Sequence, residues 1–187
     1  QMMSLNDKLK IIDVSSSIMY DNDVNELWLD PINLLTVANN IKKGFHEYID
    51  SKYLLTEIEN NYQALKEQLL KIDADYREVG DRANYNTIVV DDDSFKYLEK
   101  YNITVISLEE NDKLNQKTIN DVKTLIENES IKYIYVIDEE SVNDTIKNIQ
   151  EEYEITILKL NDLNNLTEED RKNNNDYFTL MYSNLDA

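Results

Sequence analysis

Apolar residues along this chain follow two rhythms, and the change between them comes near residue 80. Before it they recur every three or four positions. Leu34, Ala38, Ile41, Phe45 and Tyr48 share one helical face, because that spacing stacks side chains on successive 3.6-residue turns. Asp30-Pro31 predicts where the helix starts. Aspartate caps the first amides, and proline has no amide to leave unpaired at the first helical position. A break near Asp50-Ser51 leads to a longer seam of Leu55, Ile58, Tyr62, Leu65, Leu69, Ile72 and Tyr76. About 25 helical residues would span roughly 38 Å, longer than an average globular helix.

After residue 80, short apolar runs alternate with amphipathic stretches. Strands are expected over Thr87–Val90, 103–108, 131–137 and 155–160. Between them lie helices carrying Phe95, Leu98 and Tyr101, then Ile119, Val122 and Ile126, then Val142, Ile146, Ile149 and Tyr153. The Asn/Asp/Glu stretch 161–175 reads as a loop before a closing helix that begins near Tyr177. Alternation of this kind implies an α/β fold, a mostly parallel sheet of about four strands flanked by helices on both faces. A short strand is also expected over 9–15, with polar loop from there to Asn25.

Composition narrows the functions. Lys and Arg number 19 against 38 Asp and Glu, a net charge of −19, which repels nucleic-acid phosphates and anionic lipid. Cysteine is absent, so this chain holds no disulfide, thiolate metal site or thiol nucleophile. With two glycines and one proline it has neither a G-x-G-x-x-G turn nor a Walker loop, the usual glycine-built phosphate cradles. No apolar run reaches the length of a membrane span or signal-peptide core. The opening Gln1-Met2-Met3-Ser4-Leu5 looks in part like a vector-derived addition, and the expectation is that the chain starts within a longer protein whose targeting segment lies upstream.

In open parallel sheets, ligands bind at the carboxyl ends of strands. Two acidic clusters fall at such ends, Asp91-Asp92-Asp93 and Asp138-Glu139-Glu140. One carboxylate at each would cap the following helix. Three in a row exceed what a cap requires, which leaves a cation site or a phospho-acceptor site open. The single histidine, His46, sits mid-helix and reads as a surface residue, so a Ser/His/Asp triad is not expected. Trp28 reads as a buried anchor where the first helix begins. The chain is read as a binding module and not an enzyme.

Glu26-Leu27-Trp28-Leu29-Asp30-Pro31 resembles the His-x-Trp-Leu-Asp-Pro segment of the substrate-binding lipoproteins of zinc and manganese ABC transporters, the group that includes adhesin-like members. Asp92-Asp93-Ser94-Phe95-Lys96-Tyr97-Leu98 resembles that family's second motif, in which a metal ligand stands three before Phe. Asp176-Tyr177-Phe178, followed by Met181 and Asn184, resembles its closing motif. The resemblance runs from about residue 8 to the end. It implies two α/β lobes joined by a long helix with metal between them. On that plan residues 1–50 are the end of an N-terminal lobe with the first helix, 51–82 the linking helix, and 83–187 the C-terminal lobe.

The resemblance also implies a ligand set for this chain, position by position. The histidine two before Trp is Glu26, the ligand three before Phe is Asp92, and the final acid is Asn175 or, one residue on, Asp176. Every histidine ligand visible here is replaced. An oxygen-only set suits Mn²⁺, Ca²⁺ or Mg²⁺ better than zinc; the alternatives are a site re-tuned to a harder cation and a degenerate lobe without one. The implied cargo is a divalent cation (Mn, Ca or Zn), the partner an ABC permease, the state a monomer, and the location the extracellular face of the membrane through a lipid anchor. A rival reading takes Val89-Val90-Asp91-Asp92 with Asp138 as a receiver-type phospho-acceptor signalling domain. No Met-Pro or glycine follows Asp138, Lys159 is poorly placed for it, and residues 26–80 have no role in it.

Overall fold

The computed structural model describes residues 10–18 and 26–187. A 3-10 turn at Leu27–Leu29 leads into α1, Pro31–Tyr48, whose first amides at Ile32 and Asn33 donate to the Asp30 carboxylate. After a three-residue link, α2 runs from Lys52 to Arg82. At 31 residues it is about 46 Å long, longer than the apolar seam alone implied. The short link makes α1 and α2 antiparallel neighbours, packed along each other.

The remaining elements alternate as the apolar runs predict. They are β1 (Thr87–Val90), a 3-10 helix (Asp93–Tyr101), β2 (Thr104–Ser107), α3 (Gln116–Glu127), β3 (Tyr133–Val136), α4 (Asp144–Tyr153), β4 (Thr156–Lys159), α5 (Glu168–Asn173) and α6 (Tyr177–Asp186). The strands form one parallel sheet in the order β2-β1-β3-β4. Successive strand residues face opposite ways, so the sheet divides two cores. Val90 packs with Leu29, Ile72, Tyr76, Phe95, Leu98, Tyr101 and Met181 on one face. Val89 packs with Leu108, Val122, Ile134, Val136, Ile146 and Ile149 on the other.

Polar contacts tie α2 to the first face. The Tyr76 hydroxyl donates to the Met181 carbonyl of α6 at 2.8 Å, and Tyr76 stacks on Tyr101 with ring centres 5.3 Å apart. Buried Asp73 accepts from the Tyr101 hydroxyl at 2.8 Å and pairs with Lys100 at 3.1 Å and Arg77 at 3.3 Å. Lys100 also pairs with Asp30, the cap of α1. One lysine on the 3-10 helix therefore holds both long helices.

Two expectations fail. Residues 10–15 form no strand, and Leu9 lies outside the described residues. Ile11 is exposed there and Ile12 leans its side chain toward Gly44 of α1. An apolar run becomes a strand only where a neighbour accepts its backbone hydrogen bonds, and this one packs on a helix. The polar stretch 161–175 is also not wholly loop. Thr167 and Asp170 form a reciprocal capping box that starts α5, whose helical hydrogen bonds form without burying any residue. The expected polar loop after residue 15 falls largely on residues 19–25, outside the described residues.

Candidate functional site

The strand order reverses between β1 and β3, since β1 connects outward to β2 and β3 outward to β4. The connections from their carboxyl ends lead away in opposite directions there and leave the crevice in which such sheets bind ligands. Both acidic clusters named from the sequence stand at this point, Asp91–Asp93 at the end of β1 and Asp138–Glu140 just beyond β3.

The three consecutive aspartates have three different partners. The Asp91 carboxylate accepts the Ile137 amide of the neighbouring strand end at 3.2 and 3.1 Å. Burial pushes this carboxyl up to about 6; the Ile137 amide opposes the shift, and the nearby Asp92 and Asp162 carboxylates add to it. Asp92 caps the 3-10 helix by accepting the Ser94 amide at 2.8 Å. Asp93 is buried and pairs with Lys96 at 2.8 Å and with Lys113 at 3.9 Å. Burial raises the Asp93 carboxyl, but Lys96, Ser107 and Lys113 outweigh that and hold it below its ordinary value. Its amide donates to the Glu109 carboxylate, beyond β2, at 2.9 Å. The surplus of carboxylates over a single cap is thus structural in part, because these groups stitch three strand ends together.

The other candidates are placed as follows. Glu26 is half-buried just before the 3-10 turn and makes no capping hydrogen bond. Two residues later the Trp28 indole donates to the Asp162 carbonyl at 3.0 Å, which brings the first motif onto the carboxyl edge of the sheet. Trp28 packs against the first core but is half-buried, less deeply placed than the buried anchor expected. Asp176 is exposed and caps α6, accepting the Thr179 amide and hydroxyl, each at 2.9 Å. The Thr179 amide, helped by its hydroxyl, holds the Asp176 carboxyl below the usual range. Asp138 is exposed and accepts the Glu140 amide at 3.0 Å. His46 is exposed on α1, 4.0 Å from Glu59.

Among the described residues, no group of three or more His, Cys, Asp or Glu side chains is placed to hold a metal ion. One group at this edge was not singled out in advance. Asp162 follows β4 and acts electrostatically on Asp91; the strand-end rule that picked Asp91–Asp93 and Asp138–Glu140 applies to β4 equally. Asn184 of α6 pins the same loop by accepting from the Asn161 amide at 2.7 Å and donating to its carbonyl at 2.8 Å.

The sequence matches the family described as zinc-uptake complex component A, periplasmic (ZnuA), over residues 2–187. It is 27% identical over 165 residues to the zinc-binding protein AdcA of Streptococcus pyogenes, covering 86% of this chain and 32% of that protein. To the zinc-binding lipoprotein AdcA of Streptococcus pneumoniae it is 26% identical over 167 residues, with the same coverage. The chain therefore spans about a third of the length of the curated relatives it matches. The Zn(II)-bound ZnuA-like domain of S. pneumoniae AdcA superposes with a TM-score of 0.75 at 22% identity, over 96% of this chain and 68% of that one. The metal-dependent lipoprotein YcdH of Bacillus subtilis gives a TM-score of 0.75 at 20% identity, over 99% and 73%.

Proposed function

Since the chain belongs to the ZnuA family of zinc-uptake components, we propose that it forms part of the solute-binding component of an ABC-type metal-ion uptake system, with a metal site altered from the zinc pattern. One observation carries this reading most directly. The Trp28 indole reaches the loop after β4, so the first motif is held at the carboxyl edge of the sheet, the edge at which parallel sheets take ligands. The solute is a divalent cation, the membrane partner an ABC permease, and the protein works as a monomer. Its place is the extracellular face of the membrane, consistent with the lipoprotein description of the pneumococcal relative. The three-part plan, with 51–82 as the linking helix between lobes, belongs to the same proposal.

The altered site follows from donor chemistry. Tight zinc sites use imidazole and thiolate, and this chain has no cysteine and one histidine, exposed on α1. A cation site within it draws on Glu26, Asp92 and Asp176, oxygen donors suited to Mn²⁺ or Ca²⁺. Asp92 and Asp176 already cap helices, which favours a degenerate site over a re-tuned one. Binding function as opposed to catalysis agrees with relatives that are themselves named for binding. Nothing among those relatives favours the receiver reading.

Calorimetric titration of Zn²⁺, Mn²⁺ and Ca²⁺ in moderate salt, on the wild type and on Asp92→Ala, tests the proposal. Salt screens diffuse cation collection by the acidic surface. The expected result is no 1:1 zinc binding at micromolar affinity or tighter; 1:1 zinc binding of that strength would overturn the altered site. Saturable Mn²⁺ or Ca²⁺ binding abolished by Asp92→Ala identifies re-tuning. No saturable ion identifies degeneracy.

A further inference from the structure

The ladder between β1 and β3 contains a single bridged pair, Val90 with Tyr135. The Asp91 amide extends it by donating to the Tyr135 carbonyl at 3.0 Å. Continuing the evenly spaced parallel pattern would send the Ile137 amide to the Asp91 main-chain carbonyl. Here that amide donates to the Asp91 carboxylate instead. A side chain has taken over one rung of the sheet. The substitution lets the main chain leave the sheet one residue early and turn into the 3-10 helix, while the strand ends stay joined. The turn that follows is held from other directions as well, by Glu109 on the Asp93 amide and by Asp92 on the Ser94 amide. Among the described residues, Asp91 links it to β3, by its amide on the Tyr135 carbonyl and its carboxylate on the Ile137 amide.

We propose that Asp91 is a positioning residue whose carboxylate fastens the end of β1 to β3 and so sets the turn that presents Asp92 at the crevice, without itself contacting the solute. The role of that crevice rests on the function proposed above; the fastening itself does not.

Two substitutions separate its parts. Asp91→Ala removes the acceptor, and Asp91→Asn keeps an acceptor oxygen while removing the charge. In metal-free protein, amide hydrogen exchange should quicken at Ile137, Asp93 and Ser94 by about tenfold or more in Asp91→Ala, with the amides of Ile72 and Ile146 in the two cores unchanged, because local opening is read amide by amide. Asp91→Asn should stay within about threefold of the wild type at every amide. Unchanged exchange at Ile137 in Asp91→Ala overturns the proposal. So does uniform acceleration across both cores, which would make Asp91 a determinant of the whole fold.

Mn²⁺ titration supplies the second arm. Affinity should fall about tenfold in Asp91→Ala and less than about threefold in Asp91→Asn. An equal loss in both would make Asp91 a charge-bearing ligand and overturn its positioning role. If Mn²⁺ does not saturate the wild type, re-tuning to Mn²⁺ fails while the exchange result still decides whether Asp91 is the fastener.

Discussion

The two halves of α2 carry one apolar rhythm into opposite surroundings. Leu55, Ile58, Tyr62 and Leu65 face α1 and remain half-buried, whereas Leu69, Ile72 and Tyr76, the next positions of the same seam, are 0%, 0% and 3% exposed, the last two in the core under the sheet. Phe45, Tyr48, Tyr53 and Leu54 are exposed around the first half, and Ala38, Ile41, Phe45, Ile58, Tyr62 and Leu65 line an open apolar groove there. Charge differs too. Over residues 31–66 Lys42, Lys43, Lys52 and Lys66 balance Glu47, Asp50, Glu57 and Glu59, so the acidity of the chain lies elsewhere. Periodicity states which way a helix faces and not how deeply. Two helices alone cannot cover each other's apolar stripe, while a sheet with helices above it can.

If depth and not rhythm sets the energetics, equal substitutions in the two halves should differ widely. Ile72→Ala removes methyl groups from a closed core and should cost about 2–5 kcal/mol. Ile58→Ala, beside an open groove, should cost less than about 1.5 kcal/mol, since water already reaches the seam. Urea titrations give both values, and similar midpoint shifts would erase the contrast.

The two glycines sharpen the same point at smaller scale. A Cβ on Gly80 would stand 1.8 Å from the Tyr101 carbonyl oxygen, main chain that cannot swing aside. Gly80→Ala should therefore destabilise by about 1–3 kcal/mol despite alanine's better helix propensity. The atoms nearest a Cβ on Gly44 belong to the Ile12 side chain, at 2.5 Å, which can swing aside. Gly44→Ala should lie within about 1 kcal/mol of the wild type as propensity offsets the displaced side chain. Thermal midpoints of the pair provide the check.

A further contrast concerns acid. Burial pushes the Asp73 carboxyl up, but Tyr101, Lys100 and Arg77 together outweigh it and keep its pKa below the ordinary 3.8. A depressed carboxylate contributes stability that is complete above its unfolded pKa and is lost as pH falls through the folded one. Asp73→Asn should thus cost about 1–2 kcal/mol at neutral pH, and the gap to wild type should close progressively below pH 3.8. A gap that persists into strong acid would assign the cost to packing and not to charge.

How much of this was legible in the sequence varies with the range of the forces involved. Strands β1 to β4 announced themselves because each is an apolar run bounded by polar caps. The start of α1 was equally plain, since Asp30 bonds amides two and three residues away. The strand expected over 9–15 failed because a run of Ile11 and Ile12 carries no information about whether a partner strand waits beside it. α5 escaped notice although Thr167 and Asp170 carry its capping signal, since it buries no residue and so leaves no periodic trace. At the crevice a capping aspartate was expected, with Asp93 or Ser94 as the cap; the structure gives that role to Asp92, one residue earlier. The tie from Asp91 to Ile137 spans 46 residues and depends on which strands are neighbours, which no local pattern states. The surroundings of the ligand positions, Trp28-Leu29-Asp30-Pro31, Phe95-Lys96-Tyr97-Leu98 and Tyr177 with Met181 and Asn184, pointed to the right family; that Asp92 and Asp176 are engaged as helix caps is a property of the folded chain.

Lys100, which grips Asp30 and Asp73 together, gives α2 a fulcrum. From Asp73 back to Lys52 the helix extends 21 residues, an arm of about 32 Å. Each degree of tilt at the anchor would sweep the tip near Ser51 by about 0.5 Å, on the rise per residue of an α-helix. A tilt of α2 at this anchor would thereby be magnified at the far end of the hairpin. Because the chain holds no native thiol, one cysteine introduced at that tip as Lys52→Cys would report the sweep without background.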